Sequence, residues 1–214
     1  MEYYISDLHL GHRNVLDFER RNFKTIQEHD DFILNMLKQT LGKDDTLYCL
    51  GDIGFPSDEQ VEIFKNLPCK KVLIMGNHDK KNATYYFTKM GFNEVYKHPV
   101  WLHKRIVLSH YPIPVEKSIL NIHGHLHSST IDMNNYMNAN IHMTNYKLLS
   151  YKQAMDKVCT LETSNYRFLQ EWYAGHQKYT DEEIAIRTDL IFNENGIAIG
   201  KKTVEKEKGD ELEK

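Results

Sequence analysis

Asp7 and His9 stand two residues apart in "SDLHLGH", where a short apolar N-terminal run ends. At extended spacing both side chains lie on one side of the backbone, so a carboxylate and an imidazole can reach one cation. The same kind of ending recurs after four more apolar runs. "TLYCL" closes in Gly51-Asp52, "KVLIM" in Gly76-Asn77-His78-Asp79, and the run before "HYP" in His110, while "NIHGHLH" sets His125 and His127 around Leu126. Surface turns are ordinarily built from Gly, Asn and Ser, and the histidines have no turn-forming reason to be there.

Two aspartates, one asparagine and four histidines, without a thiolate, make a donor set of hard oxygen mixed with imidazole. Such a set suits Mn²⁺, Fe or Zn²⁺, whereas Ca²⁺ prefers oxygen alone and a structural Zn²⁺ prefers cysteine. Seven donors are too many for one tetrahedral ion. They suffice for two ions sharing a carboxylate, an arrangement that clamps the attacking and leaving oxygens of phosphoryl transfer.

These residues need a rigid edge to sit on, and the chain supplies strands alternating with helices. Strands are predicted over 3–6, 46–50 and 72–75. A helix is predicted over 25–42, with a Thr25/Glu28 capping box and an apolar stripe of Ile26, Phe32, Ile33, Met36, Leu37 and Leu41, and a second helix follows a Ser57/Gln60 box. That alternation predicts parallel strands with helices on the faces, and ligand sites in such sheets form at the strands' carboxyl ends. The next stretch changes character, with short strands expected at 94–97, 105–108, 119–122 and 138–143 and few helices between, which predicts a second, partly antiparallel sheet packed on the first. Helical patterns resume at 151–158, 164–179 and 180–192, and residues 201–214 read as a solvated tail.

Composition bounds the function classes. The 214 residues carry a net charge of −3, with 19 Lys and Arg against 18 Asp and Glu through residue 159 and 8 against 12 beyond it, so neither part has the basic field of a nucleic-acid clamp. Three cysteines in no C-x-x-C pair point to reduced thiols and a cytoplasmic protein, and no stretch approaches a membrane span or a secretory leader.

The ordered set D-x-H, G-D, G-N-H-D, S-H and G-H-x-H resembles the calcineurin-like metallophosphoesterase superfamily, in particular its small stand-alone bacterial and phage members, over about residues 1–155. The resemblance implies an α/β fold, a four-layer α/β/β/α sandwich of two mixed sheets with flanking helices, occupying residues 1–158; beyond it the chain departs from the superfamily, and its aromatic and apolar content predicts a helical C-terminal extension at 159–200. It implies two divalent ions, Mn²⁺ favoured over Fe, Zn²⁺ or Ni²⁺. One would be held by Asp7, His9, Asp52 and His127, the other by Asp52, Asn77, His110 and His125. Attack by a bridging hydroxide on a phosphodiester or nucleotide phosphate would follow, with His78 as the acid that protonates the leaving oxygen and Asp79 orienting it. His12 and His123 lie inside the motifs and could orient ligands, and Arg13, Asn77, Lys80 and Lys81 could contact a substrate phosphate. The expected partner is a small phosphorylated, nucleotide-like substrate, with a second copy of the chain docking through the extension as a further expectation. A small nuclease acting on polynucleotide and a catalytically silent interaction scaffold are the alternatives.

Overall fold

The computed structural model describes residues 1–161 together with the strand backbones at 190–192 and 198–201. The chain divides into two compact units, Met1–Leu169 and Gln170–Lys214. In the first, β1 (Glu2–Ile5) leads through a short α1 (Val15–Phe18) into α2 (Ile26–Thr40), and then come β2 (Thr46–Cys49), α3 (Asp58–Lys65), β3 (Lys70–Ile74), α4 (Ala83–Thr88) and β4 (Glu94–Tyr96). The remainder runs through β5 (Val100–Leu102), β6 (Ile106–Leu108), β7 (Leu120–His123), β8 (Tyr136–Asn138), β9 (Leu149–Ser150) and α5 (Tyr151–Cys159).

Local chemistry sets the helix starts. Ser57 Oγ accepts from Gln60 N and Gln60 Oε1 accepts from Ser57 N, a reciprocal capping box that opens α3. At α2, Thr25 Oγ1 accepts from Glu28 N, but Glu28 Oε2 reaches one residue further back, to Lys24 N at 2.9 Å. The buried face of α2 is His29, Asp30, Ile33, Leu34 and Leu37, so Phe32 of the expected stripe is exposed and two polar residues take its place inside.

The two sheets are mixed, as expected. The first has the order β4-β3-β2-β1-β9, all parallel except β9, and the second has the order β5-β6-β7-β8, with only β5 antiparallel. Alternation in each strand feeds two cores. Ile5, Leu47, Cys49 and Leu73 meet α2 and α3 through Leu34, Leu37, Val61 and Phe64. Tyr4, Leu50, Val72 and Ile74 meet Ile106, Leu108, Leu120 and Ile122 between the sheets, with Ala154 and Val158 of α5 packed at their edge. Truncating Leu108 or Ile122 to Ala is expected to cost about 2–5 kcal/mol. The outer face of the second sheet is covered by the loop before β7, which Asn121 Oδ1 ties at Ile113 N and Tyr136 Oη at Ile113 O.

Three differences from the sequence reading have physical causes. β5 is unanticipated because three residues carry too little periodicity to declare a strand. β8 lies at Tyr136–Asn138, since the expected stretch leaves the sheet in a turn after Asn140, which bridges Ser6 instead. In the second unit β10 (Leu190–Phe192) pairs antiparallel with β11 (Ala198–Lys201), where the sequence predicts a helix end and, from Lys201, a tail. Ile191 and Phe192 are a β-branched and an aromatic residue, both favoured in strands. The helices expected at 164–179 and through 189, and the tail beyond 201, lie outside the described residues. Among the described residues all three cysteines are free, and no helix is long and apolar enough to cross a membrane.

Candidate metal centre

Parallel pairing brings the carboxyl ends of β1, β2 and β3 to one edge, and β6 and β7, parallel to each other, deliver His110, His125 and His127 to the same place. Two glycines make the approach possible. Gly51 has φ +89°, and a Cβ there would stand 2.5 Å from His110 Nδ1 and 2.6 Å from Gly76 N; a Cβ on Gly124 would overlap Ser6 Oγ and stand 2.5 Å from Asp7 Oδ2. The backbone is also strained where the donors sit. Asp7, His9, Asp52, His125 and His127 are five of the nine described non-glycine residues with positive φ, a conformation that persists only where the surroundings over-determine it.

The donor atoms converge, two of them without partners. His9 Nε2 lies 4.0 Å from Asp7 Oδ1 and 3.9 Å from Asp52 Oδ2, and His110 Nε2 lies 3.5 Å from Asp52 Oδ2. His9 Nε2 and Asp52 Oδ2 are both buried and neither has a hydrogen-bond partner. His110 Nδ1 donates to Leu50 O at 2.8 Å, which leaves its Nε2 as a lone pair facing Asp52. Asn77 Oδ1 stands 2.9 Å from His110 Nε2 and 3.1 Å from His125 Nδ1. Asp7, His9 and His127 form one group within ion-binding reach, and Asp7, Asp52 and His110 form another.

The electrostatics fit a cation. Burial pushes the Asp7 carboxyl up to about 6, and burial followed by the nearby Arg21 pushes the His9 imidazole down to about 2. Protein groups alone leave both short of charge balance, and a divalent ion among them would favour the carboxylate and use the neutral imidazole's lone pair. Buried acceptors facing one another with no donor between them are the arrangement an ion resolves, so the residues present fit divalent metal.

The structure places the other predicted residues in several ways. His78 is half-buried at the same edge; its N–H donates to Asp52 Oδ1 at 2.9 Å, and its ring lies edge-on to His9 at 5.4 Å. Asp79 does not touch the His78 ring. Its oxygens accept from Asp52 N and Gly76 N at 2.8 Å, Ile53 N at 3.0 Å and Tyr86 Oη at 3.4 Å, so it clamps the β2 and β3 loops together and acts on His78 only through that backbone. The expectation that it orients the imidazole directly is corrected, because four donors saturate its carboxylate. His12 Nδ1 is 3.5 Å from His9 Nδ1, and His123 Nδ1 donates to Gly124 O at the turn carrying His125 and His127. Arg13 pairs with Asp17 on the surface, and Lys80 is exposed, its backbone N–H donating to His78 O.

Sequence reasoning missed the support beneath the site. Glu19 and Arg21, in "FERRNF", belong to no motif singled out above, yet they are 3 % and 2 % exposed. Glu19 Oε1 accepts from His127 Nδ1 and Oε2 accepts from Arg21 Nε at 3.0 Å, and Arg21 also donates to Leu8 O at 3.0 Å and Asp7 O at 2.6 Å. Burial alone would raise the Glu19 carboxyl; the bonds from His127 and Arg21 bring it instead to about 2. The signal available was an uncharacteristically charged segment immediately after the D-x-H loop.

Known proteins resemble this arrangement. Residues 3–200 match the sequence profile of the calcineurin-like phosphoesterases. The gene 66 protein of Mycobacterium phage L5 is 28% identical over 163 residues, covering 60% of this chain and 78% of that protein. The uncharacterized protein MJ1445 of Methanocaldococcus jannaschii is 26% identical over 163 residues, covering 69% of this chain and 85% of its own length. Among solved structures, the protein of unknown function AQ665 from Aquifex aeolicus superposes with a TM-score of 0.60 at 29% identity, over 74% of this chain and 98% of that one. With most of its length matched by the family profile and its donor atoms gathered at one sheet edge, the chain belongs to the calcineurin-like phosphoesterase family.

Proposed function

We propose that this phosphoesterase hydrolyses a phosphodiester or nucleotide-like phosphate with two divalent ions, Mn²⁺ favoured. Asp7, His9, Asp52 and His127 would hold one, and Asp52, Asn77, His110 and His125 the other. When bound, such ions neutralise phosphoryl charge and make water a nucleophile at neutral pH. The observation that carries the reading is the pair of buried, partnerless acceptors, His9 Nε2 and Asp52 Oδ2, with Asp52 Oδ2 lying between His9 and His110 at 3.9 and 3.5 Å.

The chain's own residues supply the rest. His78 is half-buried, its backbone is tied to Asp52, and an imidazole is the side chain suited to give a proton to a leaving oxygen. Asp79 keeps that loop in place by clamping Gly76 N to Asp52 N. Exposed rings border the site: Phe18 and Phe55 flank the His12 ring at 5.8 and 5.9 Å, and Tyr111 packs on His125 at 4.2 Å. Flat aromatic surface beside a phosphate site favours a substrate that carries a ring, and the near balance of charge favours a small one over a polynucleotide.

The test is hydrolysis of bis-p-nitrophenyl phosphate by chelator-stripped protein resupplied with Mn²⁺, beside Asp52→Asn and His78→Ala. Metal-dependent turnover lost in the first variant, with ions retained but turnover lowered in the second, is expected. No turnover of this diester or of p-nitrophenyl phosphate by the unmutated protein would sink the reading in favour of an interaction scaffold.

A further inference from the structure

A buried chain of side chains runs from α2 to His127. Arg21 Nη1 stands 2.7 Å from His29 Nε2, and His29 Nδ1 stands 2.7 Å from Asp30 Oδ1. Arginine only donates, so His29 Nε2 accepts, and the one proton of the neutral ring sits on Nδ1 and is given to Asp30. The other oxygen of Asp30 accepts from Gly11 N at 2.7 Å and Gln60 Nε2 at 2.9 Å, where Gln60 is the capping-box residue of α3. At the near end Arg21 grips the carbonyls of Asp7 and Leu8, so the loop carrying Asp7 and His9 is strapped on both sides.

Every link is 5 % exposed or less: Glu19, Arg21, His29, Asp30 and Gln60. Buried ion pairs of this kind contribute little net stability, because desolvation offsets the attraction, and apolar residues of similar volume often do as well. What the chain does accomplish is orientation. Glu19 accepts a hydrogen bond from His127 Nδ1–H, so Nε2 is the ring nitrogen left to join the group with Asp7 and His9.

We propose that Glu19 is a positioning residue, fixing the Nδ1–H tautomer and the ring orientation of His127 so that Nε2 ligates one of the two ions, with Arg21, His29 and Asp30 holding Glu19 and the Asp7–Gly11 loop in register. The proposal rests on the assignment of His127 as a ligand. It separates one ion's site from the other, since nothing comparable stands behind Asn77 and His125 among the described contacts.

The full chain labelled with ¹⁵N-histidine and loaded with Zn²⁺ reports the tautomer directly in a long-range ¹H–¹⁵N spectrum, with His127→Ala identifying the His127 signals. A proton on Nδ1 is expected, and a proton on Nε2 would overturn the proposal. Calorimetric titration of the stripped protein with Mn²⁺ gives a second readout. Glu19 accepts from His127 and Arg21 with separate oxygens, and in Glu19→Gln one of these becomes an NH2 donor turned toward His127 or Arg21, so one of two binding events is expected to weaken roughly 10- to 100-fold while the other stays. Unchanged affinities in Glu19→Gln beside a lost site in His127→Ala overturn the positioning role alone. Unchanged affinities in His127→Ala overturn the ligand assignment and the proposal together. Should Glu19→Gln fail to fold, the tautomer in the unmutated protein decides.

Discussion

The two halves of the metal centre are built differently. On the Asp7, His9 and His127 side the donors Asp7 and His9 are fully buried, and behind them stands a buried chain of Glu19, Arg21, His29 and Asp30. On the Asn77, His110 and His125 side, Asn77 is exposed and His125 half-buried, and His110 is oriented by a single backbone carbonyl, Leu50 O. The difference teaches how one fold can hold two ions unequally: preorganisation comes from packed polar groups behind a ligand, and the open side has few of them. Its expected consequence is one tight ion and one that exchanges readily.

In the assignment proposed above Asp52 is the carboxylate both ions share, so its loss would break the comparison altogether. Asp52→Asn should abolish stoichiometric binding of both ions and lower turnover by roughly 10²–10⁴-fold, the size expected when several kcal/mol of charge stabilisation are lost. Metal analysis of the dialysed variant checks it. Retention of one tight ion would show that Asp7, present in both donor groups, is the shared carboxylate instead.

Asp79 is the main attachment of the open half's loop to β2. Asp79→Ala strips the partner from three backbone N–H groups, two of them in buried bonds, and the expected cost is about 3 kcal/mol in urea unfolding of the metal-free protein. A change under about 0.5 kcal/mol would mean that water replaces the carboxylate and that the loop is held elsewhere.

How much of this was legible in the sequence divides along the same line. The strand ends with their Asp, Asn and His could be read because each follows an apolar run, and Gly51 and Gly76 mark where the chain must turn. The β2–α3–β3 unit was legible through Ser57 and Gln60. The support of the buried half was not: Glu19, Arg21, His29 and Asp30 carry the residue types of a solvated surface, and only their pairing with one another makes burial tolerable. Helix periodicity pointed to Phe32 as core, yet α2 turns His29 and Asp30 inward because Arg21, Gly11 N and Gln60 offer them partners. Pairing across 8 to 30 residues leaves no local pattern to read.

The open half should also respond selectively. Asn77→Ala removes one oxygen donor from the exposed side and is expected to weaken the looser ion about 10-fold without altering the tight one, measured by Mn²⁺ titration. Loss at both sites would erase the distinction between the halves.

The smallest effect concerns the rings that border the site rather than the donors. Phe18 lies 5.3 Å from His127 and 5.8 Å from His12, and Phe55 lies 5.9 Å from His12, so both stand on the buried half's side, while Tyr111 stands on the open side against His125. An aromatic contact contributes about 0.5–1.5 kcal/mol beyond its area burial, which converts to roughly 2- to 12-fold in KM for a substrate whose ring stacks there. His78 is close to His12, with ring centroids 5.9 Å apart, so the group that leaves from its side meets Phe18 and Phe55 first. p-Nitrophenolate is a far better leaving group than methoxide, so the aryl group leaves from both diesters, and Phe18→Ala and Phe55→Ala are therefore expected to raise KM for bis-p-nitrophenyl phosphate and methyl p-nitrophenyl phosphate alike, with kcat steady throughout. Tyr111→Ala should raise KM for the bis-aryl diester, whose retained ring faces it, and leave that for the methyl ester nearly unchanged. Equal effects of all three substitutions would mean the rings exclude water from the site generally, and that the two halves differ in how they hold metal but not in how they hold substrate.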